Sequence, residues 1–545
     1  MADSQSLKIR RLWVLLAAVG VCLVSALILM PYVPDDSYIS FRYAENLVKG
    51  HGLTFNPGEP PVEAYSNLLW ILGCAFLYQA GFNLPSAIPW MGTLIATLNI
   101  LVLWLVLRRR NRDPLQMFFP LVLLAASGPF IMYAVSGLES ALFALLLLVM
   151  MFLLDHLLET GRTLYSVLLA VAGVLLALCR PEGLVAFPFI VVALILITRK
   201  QKDSAFARTR MKTLLVGSAV FVGIMVVYNI WRVGYFGEVL PTPFLSKAGG
   251  GKTIFNAWFK NLYDYYVKHG DYYPPVGFYF AALTGAGVIG LMCSKSNRWQ
   301  KQTEIIAMAM CVAYGFVYFN FIDWMPGMRY YTPLVGMLLI PAAQLQTPLF
   351  ESGRRNSTSW KRMFWIGGIT VTLMSYSVLG ELRLVAERTE EGNQKCLVTL
   401  GKWLQQNMPG GSVLAMSDVG AVPYYSGFTT VDIHPESLTD LHIAKHGFSN
   451  QYFYEQQPNI VVIPSRSIFL TKFYPDHYGL TSDLDFQQLY RFLGVVRYQW
   501  QYDRCYWVYV ALNTPPFSNV QMDAFPPGVG TIARKSRSQQ GGRRP

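Results

Sequence analysis

Asp35 and Asp36 are the residues of this chain whose types and spacing point most directly to chemistry. They follow an apolar run, Leu12 to Met30, long enough to cross a bilayer, for which about 20 residues are needed. The acids therefore emerge at a membrane surface, where mutual repulsion lifts one of them toward the range of a general base. Asp36 is also a good helix N-cap, but two adjacent carboxylates exceed what a cap needs, and either is a candidate base. Cations that would complement them stand at the ends of later apolar runs. Arg180 lies in Cys179-Arg180-Pro181-Glu182-Gly183 and Arg329 in Asp323-Trp324-Met325-Pro326-Gly327-Met328-Arg329, each beside Pro and Gly. An arginine there can snorkel as an interface anchor, or its guanidinium fork can clamp a lipid-linked phosphate. Lys247, in the segment Tyr235 to Lys247, would serve the same anion as a point charge. Arg42, one helical turn from Ile39, is expected to face the same headgroup layer.

A second group of polar residues is suited to a sugar or an acceptor. Asn56-Pro57-Gly58 reads as a turn that brings Glu59 and Glu63 back toward the acidic pair. Asn56 and Glu63 are candidate ligands, and His51 is either a hydrogen-bonding ligand or a turn residue. Glu139, Glu182 and Asp323 are expected on the same face as these arginines, and orienting an Arg is as good a role for them as binding. Tyr38, Phe41, Tyr65, Trp70, Trp324, Tyr330 and Tyr331 read as a membrane-interface belt, some of which could stack on a sugar ring. No metal-binding spacing is present.

The elements that must position these groups are mostly membrane helices. The 545 residues are 53% hydrophobic and only 14% charged, against about 25% charged in a soluble domain. The formal charge of +13 does not indicate nucleic-acid binding, because the basic residues form short clusters between apolar runs, as loop orientation signals do. Spans are expected near residues 12–30, 87–107, 115–133, 138–157, 163–179, 183–198, 213–233, 275–293, 303–322, 329–345 and 363–380, about eleven in all. Residues 67–80 are too short and read as a juxtamembrane or re-entrant helix. Residues 39–48 have the near-helical spacing of a helix lying in the interface. With the N-terminus inside, the basic clusters at 108–112, 199–212, 295–301 and 354–362 fall on one side, and every motif named above falls on the other.

The expected organisation is a transmembrane domain over 1–380, with a first external loop at 31–86, then a small α/β domain over 381–512 and a disordered basic tail at 513–545. The helical period through 396–406 and strand-like runs at 412–416, 459–463 and 507–512 support the α/β reading. The seven cysteines show no metal or redox spacing. Cys396 and Cys505 share the C-terminal domain, and a disulfide and two free thiols are equally compatible with the sequence.

These residues together resemble the GT-C membrane glycosyltransferases, in the branch of the mycobacterial terminal arabinofuranosyltransferases and the pseudomonad pilin arabinosyltransferases. The likeness runs through PDDSYISFRYAENLVKGHGLTFNPGE, VEAYSNLLW, SGLES, CRPEG, YFGEVLPTPFLSKAG, DWMPGMRYYTP and SDVGAVPYYSGFTTVDIHPESLTD, and covers most of residues 33–440. The resemblance implies a multi-pass protein of the bacterial inner membrane with a periplasmic site and a periplasmic α/β domain. It implies a polyprenyl-monophosphate sugar donor, with arabinofuranose the leading sugar, and inversion at the anomeric carbon. The base would be an acid of the first external loop, Asp36 in slight preference to Asp35. No cofactor is expected, and the partners would be bilayer lipid, the lipid-linked donor, and a glycan or protein acceptor, with the chain a monomer. A transporter or flippase is the rival class, but it calls for ionisable residues at the bilayer midplane and repeated halves. A non-enzymatic scaffold would leave the acids and arginines without a task.

Overall fold

The computed structural model describes residues 2–30, 32–110, 114–199, 204–248, 274–319, 325–346, 378–465, 475–497 and 505–513. The expected tail at 513–545 and most of the span expected at 363–380 lie outside this set. The chain divides into two compact units. Unit 1 is Met1–Val33, Ser66–Gly237 and Gly251–Glu387, and unit 2 is Pro34–Tyr65, Glu238–Gly250 and Arg388–Pro545. The boundary expected at 380/381 thus falls at 387/388, and residues 34–65 group with the α/β unit rather than with the membrane helices.

The described helices that bear on the spans and the site are, in chain order, α1 (Ala2–Leu29), α2 (Asp36–Val48), α3 (Leu68–Gln79), α4 (Leu84–Arg109), α5 (Pro114–Ala125), α6 (Gly128–Val135), α7 (Ser140–Thr160), α8 (Thr163–Cys179), α9 (Ala186–Arg199), α10 (Ser204–Phe236), α11 (Thr242–Ala248), α12 (Pro274–Met292), α13 (Arg298–Phe319), α14 (Val335–Ala342), α15 (Thr399–Asn407) and α16 (Ala421–Ser426). All but α2, α11, α15 and α16 belong to unit 1. Among the described residues, five helical segments are long and apolar enough to cross a bilayer: Gln5–Leu29, Leu84–Arg109, Ser140–Thr160, Pro181–Arg199 and Arg210–Phe236. The pair Gln116–Ala125 and Gly128–Val135 would add a sixth, bent by 50° at Ala126 and Ser127, where Pro129 in the first turn of α6 starts a new helix. The chain is a multi-pass membrane protein. α3 has 12 residues, about 18 Å at the helical rise, and is too short to span.

Sequence accounts for several of the ends. The Asn83 side chain caps α4 by accepting the Ser86 N–H at 3.3 Å, and Gly161 closes α7 in the left-handed region. Arg180-Pro181 stops α8, since proline disfavours helix in the residue before it.

Arg110, expected only as part of a solvated basic cluster, is buried. Its guanidinium pairs with Asp155 of α7 at 3.0 Å and Glu304 of α13 at 2.8 Å. Ser294, Ser296 and Gln344 complete the hydrogen bonds of Glu304. A charge in an apolar interior persists only when paired in this way, and sequence reading missed it because Asp155 and Glu304 lie 45 and 194 positions from Arg110.

Unit 2 is built on a five-stranded sheet of order β2-β1-β3-β5-β4, with β1 Val413–Met416, β2 Thr429–Asp432, β3 Ile460–Ser465, β4 Tyr490–Arg497 and β5 Cys505–Ala511. β2, β1 and β3 are parallel, whereas β5 runs antiparallel to β3 and β4. The α/β expectation agrees for β1, β3 and β5. β2 and β4 were missed because Thr429–Asp432 has a single aliphatic residue, Val431, and Tyr490–Arg497 carries Gly494 at a bulge. Val431, Ile433, Val461, Ile463 and Phe453 form part of one core. Cys396 and Cys505 are both buried free thiols.

α2 is enclosed in unit 2 and does not lie on a membrane interface. Ser37 to Ala44 are all buried, with Arg42 5% exposed. The interfacial reading fails because polar as well as apolar positions of the helix are covered. The aromatic-belt reading is corrected for four of its residues: Tyr38, Phe41, Tyr65 and Trp70 are each at most 4% exposed, whereas Tyr330 and Tyr331 are half-buried and Trp324 lies outside the described residues.

Candidate functional site

In unit 1 the arginines of the two Pro-Gly motifs meet on one carboxylate. Glu139 Oε1 accepts Arg180 Nη1 at 2.9 Å and Arg329 Nη2 at 3.1 Å, while Oε2 accepts Asn67 Nδ2 at 3.0 Å. Arg180 Nε also pairs with Glu182 Oε1 at 2.5 Å, which in turn accepts the Tyr318 hydroxyl at 3.0 Å. The ring of Tyr330 lies 5.2 Å from the Arg180 guanidinium carbon and 5.9 Å from that of Arg329, a cation–π distance. Burial alone would raise the Glu139 carboxyl, but Arg329 and Arg180 hold it down at about 2.

Three element ends create this cluster: the start of α7 for Glu139, the break between α8 and the Pro181–Val185 turn for Arg180, and the Arg329–Leu334 turn. Arg329 is preceded by Gly327 and Met328 with φ of 81° and 55°. A non-glycine residue in the left-handed region is a strained conformation that the surroundings must enforce. Tyr133 supports it by donating to the Pro326 carbonyl at 2.5 Å, and its ring packs edge-on against Tyr32. The chain leaves unit 1 after Val33 and returns at Ser66. Sequence reading did not single out Asn67 or Tyr318.

Glu139 and Glu182 therefore take the arginine-orienting role that the sequence offered as one alternative. Asp323 lies outside the described residues, and Lys247 lies in α11 with its side chain outside the described set.

In unit 2 the two acids are placed differently. Asp35 precedes α2, and both of its carboxylate oxygens accept backbone N–H groups: Oδ2 from Gly420 at 3.1 Å and Oδ1 from Ala421 at 2.7 Å. Burial first, and then the charge of Asp418, push Asp35 up to about 8. Asp36 is the acidic residue of the first turn of α2 and is half-buried. Tyr38 is packed among Phe41, Tyr424 and Tyr425 with ring centroids 5.3 to 5.8 Å apart.

Arg42, expected at a headgroup layer, is instead an internal strut. Nε donates to the Phe55 carbonyl at 2.8 Å, Nη2 to the Phe428 carbonyl at 2.7 Å and to Asn56 Oδ1 at 3.3 Å, and Nη1 to the Pro423 carbonyl. Asn56 is likewise committed: its amide donates to the Thr430 carbonyl at 2.9 Å and accepts the Thr430 N–H at 3.0 Å, pairing with edge strand β2 as a neighbouring strand would. Glu63 is 5% exposed, and its carbonyl accepts the Thr242 N–H at 3.1 Å. His51 is exposed in the turn after α2. Arg42, Asn56, Tyr38 and Glu63 thus form the interior that joins residues 34–65 to the α/β unit, and of the expected sugar ligands in this loop only His51 stays exposed.

Two outcomes follow from this packing. Arg42→Ala strands several carbonyl acceptors and is expected to destabilise unit 2 by about 3 kcal/mol or more, read as a fall in Tm and faster proteolysis between residues 34 and 65. Asp35 retains, in the folded unit, a proton that the unfolded chain releases above 3.8. The stability of unit 2 should therefore fall as pH rises from about 4 to about 8, a slope that thermal melts measure and that Asp418→Asn should lessen.

Comparison with known proteins bears on the fold. The crystal structure of ArnT from Cupriavidus metallidurans bound to undecaprenyl phosphate matches with TM-score 0.56 at 12% identity, over 91% of this chain and 97% of that one. The apo structure matches with TM-score 0.52 at 13% identity, over 90% and 97%. The chain has the ArnT fold. This is a GT-C membrane fold. The chain is also homologous to the terminal β-(1→2)-arabinofuranosyltransferase of Corynebacterium glutamicum, with 22% identity over 382 residues, 63% of this chain and 53% of the relative. It spans about half the length of that curated relative. Residues 383–509 match a domain of unknown function, DUF8728, which corresponds to most of the α/β unit.

Proposed function

We propose that the protein is an inverting, polyprenyl-phosphate-dependent glycosyltransferase. The observation that carries this reading is the convergence of Arg180 and Arg329 on Glu139 within the fold of a protein that binds undecaprenyl phosphate. Breaking the bond between the anomeric carbon and the phosphate oxygen sends an electron pair to the phosphate, and positioned guanidinium groups stabilise the charge that grows there. The acceptor oxygen forms the new bond to the anomeric carbon from the opposite face and gives its proton to a carboxylate.

Asp36 is the base in this scheme. Both oxygens of Asp35 are held by backbone N–H groups, so it anchors the loop instead. Arabinofuranose is the proposed sugar, supported by the name of the homologous relative, and the proposed acceptor is an envelope glycan or a pilin. The proposal further includes about eleven spans, an inner-membrane location with the acids and arginines on the periplasmic side, a monomer, and no required metal or organic cofactor.

The test is reconstitution of the protein in nanodiscs with a polyprenyl-monophosphate arabinofuranose and an arabinofuranosyl oligosaccharide. Release of polyprenyl phosphate with a matching gain of one pentose on the acceptor supports the proposal. Donor movement across vesicle membranes without transfer would instead establish the transporter reading.

A further inference from the structure

We infer that the turn Ser417–Ala421 of the α/β unit is a positioning device for the reaction, with Gly420 and Asp418 its working residues. The inference rests on the proposed role of Asp36 as base. It gives the α/β unit a task that neither the helices nor its own family description supplies.

The turn leaves the carboxyl end of β1 and opens α16. In the order β2-β1-β3 the chain passes to one side of β1 for β2 and to the other side for β3. In open α/β sheets, the crevice beyond such a switch point is where ligands bind. Here the place beside the turn is filled by a carboxylate of the same chain, that of Asp35, which accepts the Gly420 and Ala421 N–H groups.

The approach is so close that residue 420 must lack a side chain. A Cβ there would lie 2.1 Å from the Asp35 carbonyl oxygen and 2.4 Å from its Cγ. The other end of the turn is tethered by the Tyr506 hydroxyl of β5, which donates to Asp418 Oδ2 at 2.6 Å. Asp418 and Asp36 are the charges that act on Asp35. Tyr38 of α2 in turn feels the charge of Asp35, and Cys396 that of Asp418.

Pinning Asp35 fixes the first turn of α2. The Tyr38 N–H donates to the Asp35 carbonyl at 3.0 Å and the Ser37 N–H to the Pro34 carbonyl at 3.1 Å. Asp36 lies between these bonded positions, so its backbone is set by the turn at 417–421. The turn acts on the reaction through Asp36 and does not touch substrate.

The experiment compares the wild-type protein with Gly420→Ala and Asp418→Asn, each full length in nanodiscs. Gly420→Ala is expected to lower kcat by about 100-fold, within the range for a displaced general base, with the donor KM changed less than about twofold. Asp418→Asn, which keeps the shape of the turn, is expected to move the acidic limb of the pH–rate profile while leaving the melting temperature near that of wild type below about pH 4, where Asp35 is protonated in the folded and the unfolded chain alike. Amide hydrogen exchange at residues 36–40 reads the same device without substrate and should speed up about 10-fold or more in Gly420→Ala as its local protection is lost. A folded Gly420→Ala protein with wild-type kcat, or with wild-type exchange at residues 36–40, overturns the inference. So does an unshifted pH–rate profile in Asp418→Asn. If the wild-type protein transfers no sugar, the functional reading fails, and the exchange measurement alone then decides whether the turn holds the acids.

Discussion

Asp36→Asn should abolish sugar transfer, lowering kcat by about 10³-fold or more, while the protein folds and still binds the lipid donor. The magnitude follows from the contribution of a positioned general base, roughly 10² to 10⁴, with the upper part of the range expected because the acceptor hydroxyl has no other assigned proton acceptor. Asparagine preserves the size of the side chain and the first turn of α2, so a folding defect is not expected. The comparison with Asp35→Asn is informative. Asp35 has both oxygens on N–H groups of residues 420 and 421, and an amide there must set its own N–H₂ against one of those donors. Asp35→Asn is therefore expected to lower both the Tm and the rate, whereas Asp36→Asn lowers the rate alone. Steady-state kinetics with melting curves for both variants separates the roles. Full activity in Asp36→Asn would remove it as the base.

Arg180→Ala has the other large expected effect. Arg180 is 5% exposed and pairs with both Glu139 and Glu182. Removing one partner of a buried ion pair leaves an uncompensated charge and costs about 3–5 kcal/mol. Two carboxylates would be left with Arg329 as the one described guanidinium bonded to Glu139. The expected outcome is a marked fall in Tm together with loss of transfer. Arg180→Lys should recover part of the stability but not the rate, because an ammonium cannot reproduce the fork that addresses two carboxylates and a phosphate. The double variant Arg180→Ala with Glu182→Gln should regain stability relative to Arg180→Ala, since it removes one of the stranded charges. A lysine variant with wild-type donor KM and rate would argue that Arg180 is structural only.

The arginine cluster was legible in part. Each arginine stood at the end of an apolar run beside Pro and Gly, and a neighbouring acid as its partner was one of two stated readings. The sequence could not tell that a single acid, Glu139, serves arginines from two distant motifs. Nor could it find Asn67 or Tyr318, because a lone Asn or Tyr at the edge of an apolar segment carries no periodic signal. For Arg42 and Asn56 the sequence pointed to the wrong surroundings. A helix with charged residues between apolar ones has the pattern of an interfacial helix, and the same pattern results when the polar residues are buried on backbone carbonyls.

What the sequence determined by itself is the membrane character of the chain, the pairing of acids just after the first apolar helix, the arginines at later helix ends, and an α/β unit near the C-terminus. These are written in hydropathy and local spacing, which act over a few turns of helix or a few residues of strand. Tertiary structure alone decided that residues 34–65 belong to the α/β unit and that Asp35 is committed to Gly420 and Ala421. The physical reason is that these outcomes rest on hydrogen bonds and burial joining residues 385 or 386 positions apart. No periodicity in a chain encodes which distant amide a carboxylate will find.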